Sequence, residues 1–169
     1  MSRANEQGVP QELTIGKTTI VGVAPTSVLI FLSQLFTRKG APDYSLIKSP
    51  VRALLDESAL KVEPMESKEA PILILNFEDQ ALVRWAKSLT VQTSWYNSSD
   101  PQHIAGAKTH EYRGTYYRDP RHLIYSNERG LEVYPLGSSY KSSPELLAAV
   151  CIAREGGLSP EVIQKALET

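Results

Sequence analysis

A glycine, a lysine and two threonines near the N-terminus have the residue types of a phosphate-binding loop. They form the run Gly16-Lys17-Thr18-Thr19. In such a loop, backbone N–H groups surround the phosphates, the lysine reaches the outer phosphates and a hydroxyl binds Mg²⁺. The motif also needs a glycine five residues earlier, where this chain has Gln11, and a helix directly afterwards, where a β-branched strand is predicted. We therefore interpret the run as the start of a strand and not as a phosphate site.

The histidines and hydroxyls form no recognisable catalytic or metal-binding pattern. His103, His110 and His122 lack the regular spacing of a helical metal pair, and the chain has a single cysteine. His110 and Glu111 are adjacent, so in a strand their side chains point to opposite faces and do not act together at one site. Ser27 lacks the flanking glycines of a nucleophile elbow. The residues thus predict neither a metal centre nor a hydrolase.

Composition and charge are those of an ordinary globular chain. Hydrophobic residues make up 41% of the 169 residues and charged residues 22%, as in typical folded domains. The formal charge of -1 gives no general attraction for nucleic acid or an anionic membrane. The longest apolar stretch, Val28 to Phe36, is much shorter than the ~20 residues that a membrane span needs. We expect a cytoplasmic protein with no membrane partner, and we expect the cysteine, Cys151, in the core.

Strands and helices alternate in the first part of the chain, which predicts an α/β fold with a mostly parallel, Rossmann-like sheet and right-handed crossovers. We expect residues 1–17 to be a flexible N-terminus and residues 18–169 to form one domain. A short helix is expected at Ser49–Leu55. The other elements predicted here are strands at Thr18–Ala24, Pro71–Asn76 and Thr90–Tyr96, and helices from Thr26 or Ser27 to Phe36 and at Glu78–Ser88.

The pattern changes after Asp100-Pro101, where short strands separated by turn residues predict antiparallel hairpins. The chain then closes with two helices. The first follows Ser143-Pro144 and runs through Arg154, and the second spans Val162–Leu167. The predicted hairpin strands are Ala107–Tyr117, His122–Ser126 and Leu131–Tyr134.

Tyrosines and arginines are concentrated in the hairpin region. Both residue types are favoured at the energetic centres of protein interfaces, although aromatic residues also suit pleated strands for purely structural reasons. The same mixture could stack single-stranded nucleic acid, but neighbouring acidic residues dilute its charge. The candidate interface consists of Tyr112, Arg113, Tyr116, Tyr117, Arg118, Arg121, Tyr125 and Arg129.

The order of elements and three local sequences resemble the central, ATP-binding domain of the Mur ligases, which add amino acids to peptidoglycan precursors. Val21–Thr26 is similar to the first strand of that domain. Ile74–Leu82 is similar to its later strand, turn and helix, commonly L-N-x-D-D-P-x-L. Leu147–Leu167 is similar to its closing pair of helices. The likeness covers about residues 19 to 36 and 72 to 167, and implies a shortened form of that fold.

The sequence departs from the family where ATP would bind. Active members continue the first strand into a loop of the form T-G-T-N-G-K-T-T. Here the vestigial loop is Ala24, Pro25, Thr26 and Ser27, and no glycine, lysine or arginine follows until Arg38. The metal-binding glutamate and carbamylated lysine of the family have no convincing match between residues 40 and 70, where Lys48 is interpreted as a surface lysine. The adenine-contacting H-N-x-x-N segment should fall near residues 139–145, and its histidine and asparagines are missing.

We therefore expect a non-catalytic, Mur-ligase-like domain that binds no cofactor and acts through a protein partner or as a homo-oligomer. One alternative is a subunit or divergent member of an ATP-dependent carboxylate–amine ligase, which would use ATP and Mg²⁺. The second alternative is a single-stranded nucleic-acid binder, which the near-neutral charge disfavours.

Overall fold

The computed structural model of the protein describes residues 9–62, 71–99 and 112–168. Within these ranges the chain has an α/β fold with ten strands, four α-helices and two short 3₁₀ turns, at Tyr44–Leu46 and Glu57–Lys61. The strands are β1 (Gln11–Ile15), β2 (Thr18–Gly22), β3 (Thr37–Arg38), β4 (Ala41–Pro42), β5 (Val51–Leu54), β6 (Ile72–Asn76), β7 (Thr93–Asn97), β8 (Gly114–Asp119), β9 (His122–Asn127) and β10 (Gly130–Pro135). The helices are α1 (Pro25–Leu35), α2 (Gln80–Ala86), α3 (Pro144–Glu155) and α4 (Pro160–Leu167).

Eight of these strands form one sheet in the order β1-β2-β5-β6-β7-β8-β9-β10. The inner strands from β2 to β8 run parallel to one another, as the apolar character of β2 and β6 predicts. At one side β1 pairs antiparallel with β2, and at the other β8, β9 and β10 form antiparallel hairpins. The predicted α/β class, with a mostly parallel sheet and a hairpin region, is confirmed.

The helices cover both faces of the sheet, and the sheet residues alternate accordingly. Ile20 and Ala53 face the core that contains α1, α3 and α4, whereas Val21 and Leu54 face the smaller core under α2. The connections from β2 to β5 and from β6 to β7 step in the same direction along the sheet, yet α1 and α2 lie on opposite faces. These two crossovers therefore have opposite hands, and the prediction that the crossovers are right-handed is wrong for one of them.

Helix α3 is the centre of the larger core. Its residues from Leu146 to Ala153 are all fully buried, and it packs against α1 and beneath β7 and β8. Cys151 lies in this run, and its Sγ is 3.4 Å from Ser94 Oγ. Burial raises the pKa of the Cys151 thiol, so the thiol stays protonated and acts as a small apolar side chain. The prediction of a core position for Cys151 is confirmed.

Two segments differ from the sequence-based predictions. Residues 11–15, predicted to be part of a flexible N-terminus, form β1, which pairs along its whole length with β2. Gly16 and Lys17 form the turn between these strands, and no helix follows them. The segment predicted as a helix at Ser49–Leu55 forms β5, because parallel pairing with β2 and β6 on both sides outweighs the weak local helical preference. In the described ranges, no helix combines the length and the apolar character needed to cross a membrane.

Gly114 at the start of β8 lies against the backbone of Trp95, with no room for a side chain. Its φ is +133°, and an added Cβ would lie 1.8 Å from the carbonyl oxygen of Trp95. We expect Gly114→Ala to lower the free energy of unfolding by more than ~3 kcal/mol, since both an unfavourable backbone conformation and a clash are introduced. Urea denaturation, with the yield of folded protein, measures the loss.

Gly130→Ala is the matched control for this substitution. Gly130 has a similar φ of +128°, but no atom lies within 4 Å of the position of an added Cβ. This variant therefore carries the backbone cost alone, about 1–3 kcal/mol. Equal losses for the two variants would contradict the close packing of Gly114 against Trp95.

Candidate functional site

Open α/β sheets bind ligands at the carboxyl ends of their parallel strands, so a site is expected at that edge of the sheet. The structure has a crevice of about 210 Å³ there, which we call the carboxyl-edge crevice. It lies between the segments that follow β2 and β5 and the first turn of α3. Its lining consists of Val23, Ala24, Val28, Leu55, Asp56, Asn76, Tyr96, Pro144 and Glu145. The charged side chains among these are the two carboxylates, Asp56 and Glu145.

The vestigial loop is almost entirely absorbed into helix α1. Strand β2 ends at Gly22 and α1 begins at Pro25, so two residues connect them. Thr26 and Ser27 lie in the first turn of the helix, and Pro25 supplies no N–H. A phosphate-binding loop needs a longer glycine-rich arc of N–H groups. The local geometry therefore offers a short strand-to-helix corner in place of such an arc.

The carboxylate of Asp56 satisfies the backbone at this corner. Its Oδ2 accepts a hydrogen bond from the Val23 N–H at 3.0 Å. Its Oδ1 accepts one from the Ser58 N–H at 3.0 Å, and the Ser58 hydroxyl also donates to Oδ1. The close approach depends on Gly22, where a Cβ would lie 3.0 Å from Oδ2. The first N–H group after β2 thus bonds to the chain's own anion, beside the N-terminus of α1, where negative charge is favourable.

A second carboxylate, Asp79, joins the segments after β5 and β6. Its Oδ1 accepts hydrogen bonds from Ala81 N–H at 3.0 Å and Leu82 N–H at 3.2 Å, which caps α2. Its Oδ2 accepts one from the Glu57 N–H at 2.9 Å. Side chains of this kind therefore hold the loops at the carboxyl edge in place by hydrogen bonds to backbone N–H groups.

The same carboxylates make this edge negative. A wider depression of about 670 Å³ adjoins the crevice and is lined by Asp56, Glu57 and Asp79, with Lys61 as its basic lining residue. Just after the end of β7, the Ser98 N–H donates a hydrogen bond to Glu78 Oε1 at 2.8 Å. Among the residues that the structure describes, no three His, Cys, Asp or Glu side chains are grouped so that they could hold a metal ion. Asp56, Asp79 and Glu78 accept hydrogen bonds from backbone N–H groups.

Tyr96 closes the base of the carboxyl-edge crevice. Burial raises the pKa of its phenol, and the charge of Asp56 raises it further. Its hydroxyl lies 3.4 Å from the carbonyl oxygen of Leu55. The phenol therefore stays neutral at physiological pH and acts as a weak structural donor rather than a base.

The tyrosines of the predicted interface belong to the core. Tyr112, Tyr116, Tyr117 and Tyr125 are each at most 6% exposed. Tyr117 and Tyr125 lie in the larger core with α3, while Tyr112 and Tyr116 form a separate cluster on the other face with Ile124. The prediction that these tyrosines present a binding face is corrected on this point, because the pleat sends them to two faces and both faces are covered at those positions.

The arginines of the predicted interface divide between structural and exposed positions. Arg113 Nε and Nη2 donate to the Glu155 carboxylate at 2.9 and 2.8 Å, and its Nη1 donates to Glu128 at 2.8 Å. Arg121, although largely exposed, donates to three carbonyl groups in the segment after β10. Arg118 and Arg129 are exposed. The structure thus does not bring the eight residues together as one surface.

The three histidines give no site in the described ranges. His103 and His110 lie outside those ranges. His122 is in the β8–β9 hairpin, where its Nδ1 is 2.9 Å from both carboxylate oxygens of Asp119. That hydrogen bond, together with one from the Arg121 N–H, lowers the pKa of Asp119. The pair is an exposed hairpin contact.

Sequence reasoning missed two features that the structure makes prominent. One is the pair of capping carboxylates, Asp56 and Asp79, whose signal is an Asp that can accept hydrogen bonds from N–H groups two or three residues further along the chain. The other is the exposed apolar side of β10, at Leu131 and Val133, on a strand that was itself predicted. Its signal is the alternation of residues 131 to 134, which predicts one face of the strand turned away from the core.

No family model matches this sequence, and no curated protein is significantly similar to it. The likeness to Mur ligases thus rests on the residues given for it above, and the geometry of the crevice carries the functional argument.

The Asp56 contact to Val23 can be isolated by substitution. Asp56→Asn keeps Oδ1 for the Ser58 N–H but turns an amide N–H₂ towards the Val23 N–H. We expect it to lower the free energy of unfolding by about 1 kcal/mol, because the Val23 N–H loses its acceptor. Asp56→Ala should lower it by about 1–2 kcal/mol, because the Ser58 N–H loses its acceptor as well. Chemical denaturation measures both losses.

Glu57→Gln provides the control, since it makes the same change of chemistry one residue along, at an exposed position. We expect it to change the free energy of unfolding by less than about 0.5 kcal/mol. If Asp56→Asn is equally neutral, Asp56 does not stabilise the corner after β2.

Proposed function

We propose that this chain is a non-catalytic, Mur-ligase-like domain that acts as a protein-binding or scaffolding module. The observation that carries the proposal is the Asp56 carboxylate, which accepts the first N–H after β2 at 3.0 Å. In a nucleotide-binding domain of this type, that N–H belongs to the loop that surrounds the phosphates. Here it is held by an anion of the chain itself.

Electrostatic magnitudes support this interpretation of the crevice. A phosphate charge placed about 4 Å from the Asp56 carboxylate is repelled by about 4 kcal/mol at an effective dielectric constant of ~20. The N-terminus of α1 offers a phosphate only about 0.3–1 kcal/mol of attraction. Repulsion therefore exceeds attraction, and Glu145 on the other side of the crevice adds to it.

The other polar groups near the sheet are engaged in structural contacts. Arg113 is bound to Glu155, and Arg154 donates to Glu132 at 2.8 and 2.7 Å. Exposed apolar side chains occur instead on the outside of the fold, where Leu131 and Val133 lie close together on β10 and are 50% and 40% exposed. Neighbouring apolar side chains on an exposed strand are suited to contacts with another protein.

Nucleotide binding tests the proposal directly. We expect calorimetric titration with millimolar ATP, with and without Mg²⁺, to give no saturable heat, and the midpoint of thermal unfolding to stay unchanged. A ligand at 100 times its dissociation constant would stabilise the fold by about 2.7 kcal/mol, which such a scan detects readily. Saturable binding with a rise in the midpoint would overturn the proposal.

Asp56→Asn separates the two physical reasons for excluding nucleotide. The variant removes one negative charge but leaves the two-residue corner and Pro25 unchanged. We expect it, too, to bind no ATP, because the corner lacks the arc of N–H donors. Binding by this variant alone would mean that one carboxylate, and not the short corner, excludes the nucleotide.

A further inference from the structure

Strand β10 is an open edge of the eight-stranded sheet. In the described ranges no strand pairs with its outer side. Its exposed side chains include Leu131 and Val133, which are 50% and 40% exposed. Both project to the face opposite α3, since Glu132 and Tyr134, which alternate with them, contact the α3 side. Pro135, the last residue of β10, has no N–H, so residues 131 to 134 are the part of this edge that can pair with another strand. With exposed apolar side chains and no lysine, this part of the edge is an available surface for strand addition.

The opposite end of the sheet is protected. Strand β1 exposes Gln11, Glu12 and Thr14, and its apolar residues Leu13 and Ile15 are half-buried. Polar and charged side chains on an edge strand disfavour pairing with another chain. The contrast identifies β10, and not β1, as the edge suited to a partner.

Helix α4 lies beside β10 and completes this surface. A groove of about 520 Å³ runs between them, with Val133 and Tyr134 on the strand side and Gln164 on the helix side. The outward residues of α4 are Glu161, Lys165 and Glu168, all exposed. Their spacing of four and three residues places them on one side of the helix. That side is a stripe of alternating charge, negative, positive and negative.

A stripe of this pattern is complementary to itself. When two such helices lie antiparallel about a twofold axis that passes between positions 161 and 165, Lys165 of each copy meets Glu161 of the other. An axis through the centre of the stripe would instead place like charges opposite each other, so the contact requires this offset. Antiparallel pairing of two β10 strands about an axis perpendicular to the sheet places the two α4 helices on the same face and side by side. The apolar side chains at 131 and 133 of both copies then form one strip on the opposite face.

We propose that two copies of this chain associate through β10 and α4, forming a dimer with one continuous sheet. The inference rests on the proposed function, because it names the partner of the binding module as a second copy. A peptide of another protein could pair with the strand, but the alternating charges on α4 give a specific reason for a second copy. Glu132 does not oppose the pairing strongly, since its carboxylate is bound by Arg154.

Solution mass of the full chain tests the association. We expect sedimentation equilibrium to give twice the chain mass of 18.7 kDa. Val133→Lys and Leu131→Lys place a charge on the edge strand and should each raise the dissociation constant of the dimer at least about tenfold. Ile30→Lys is the matched control, because it makes the same exchange at an exposed apolar position on α1, and it should leave the dimer unchanged. Circular dichroism confirms that all three variants are folded.

Charge reversal on α4 tests the geometry specifically. Lys165→Glu makes the stripe wholly negative, and the double variant Glu161→Lys, Glu168→Lys makes it wholly positive. Each alone should dissociate more readily, at least about tenfold in dissociation constant, and an equimolar mixture should form a mixed dimer with near-normal affinity. A mixture no tighter than either variant would overturn the antiparallel contact of α4.

The outcomes separate this inference from the proposed function. A chain that is monomeric at all concentrations, or a dimer that Val133→Lys does not weaken, overturns the dimer through β10. If such a chain also binds no ATP, the proposed function stands and the partner is a different one. A dimer that dissociates as expected but binds ATP supports the edge contact and overturns the non-catalytic role. A heterologous peptide that protects the β10 amides from hydrogen exchange in a monomeric chain also overturns the second copy as partner.

Discussion

The burial of helix α3 is the constraint on which the rest of the structure depends. Its residues from 146 to 153 have no exposure to solvent, so every polar group along it needs a partner inside the protein. Thr115 donates to the Leu147 carbonyl at 2.9 Å. The Tyr117 hydroxyl donates to the Ser143 carbonyl at 2.9 Å and accepts the Ser143 N–H at 2.9 Å. Glu155, at the other end, is bound by Arg113. These contacts all reach β8 or the segment before it, and they join the hairpins to the parallel part of the sheet.

The burial of α3 explains why tyrosines and arginines of the predicted interface have structural roles. Tyr117 and Tyr125 fill the space beneath the helix, and Arg113 pairs with its last residue. An apolar ring with a polar end suits this position, because the ring packs while the hydroxyl reaches a backbone group. Removing Arg113 would leave the Glu155 carboxylate unpaired with almost no access to solvent, which is more costly than removing both partners. Residue types that are common at interfaces here serve the contact between a sheet and its central helix.

The sequence predicts those elements whose apolar pattern is complete in itself. Strands β2 and β6 are short apolar runs between turn residues, and α3 and α4 have both a capping serine and a proline at the start. Strand β5 lies in the segment that the sequence predicts as a helix, and Arg52 interrupts its apolar run. In the structure Arg52 donates towards Glu12 and the Val62 carbonyl, contacts made possible only by neighbouring parts of the fold. The hand of the crossovers and the burial of the tyrosines likewise depend on long-range packing. Of the candidate site, the short corner at Ala24–Ser27 was predictable, since missing residues are visible in the sequence, whereas the role of Asp56 required the geometry.

The closed crevice and the open edge of the sheet have a common physical origin. Hydrogen-bonding groups at the carboxyl edge are satisfied within the chain by Asp56 and Asp79, so a ligand there would have to displace bonds that already stabilise the loops. Strand β10 is different, because antiparallel pairing with β9 uses only one side of its backbone. A second strand lying alongside β10 would hydrogen-bond to the backbone groups on its outer side and would displace no existing bond. Association at the edge therefore adds hydrogen bonds and buries the apolar side chains at 131 and 133. A ligand in the crevice would instead replace hydrogen bonds between backbone N–H groups and carboxylates with weaker bonds of its own. The same satisfaction of polar groups that removes the ligand site leaves the edge of the sheet as the place where this fold gains most from a partner.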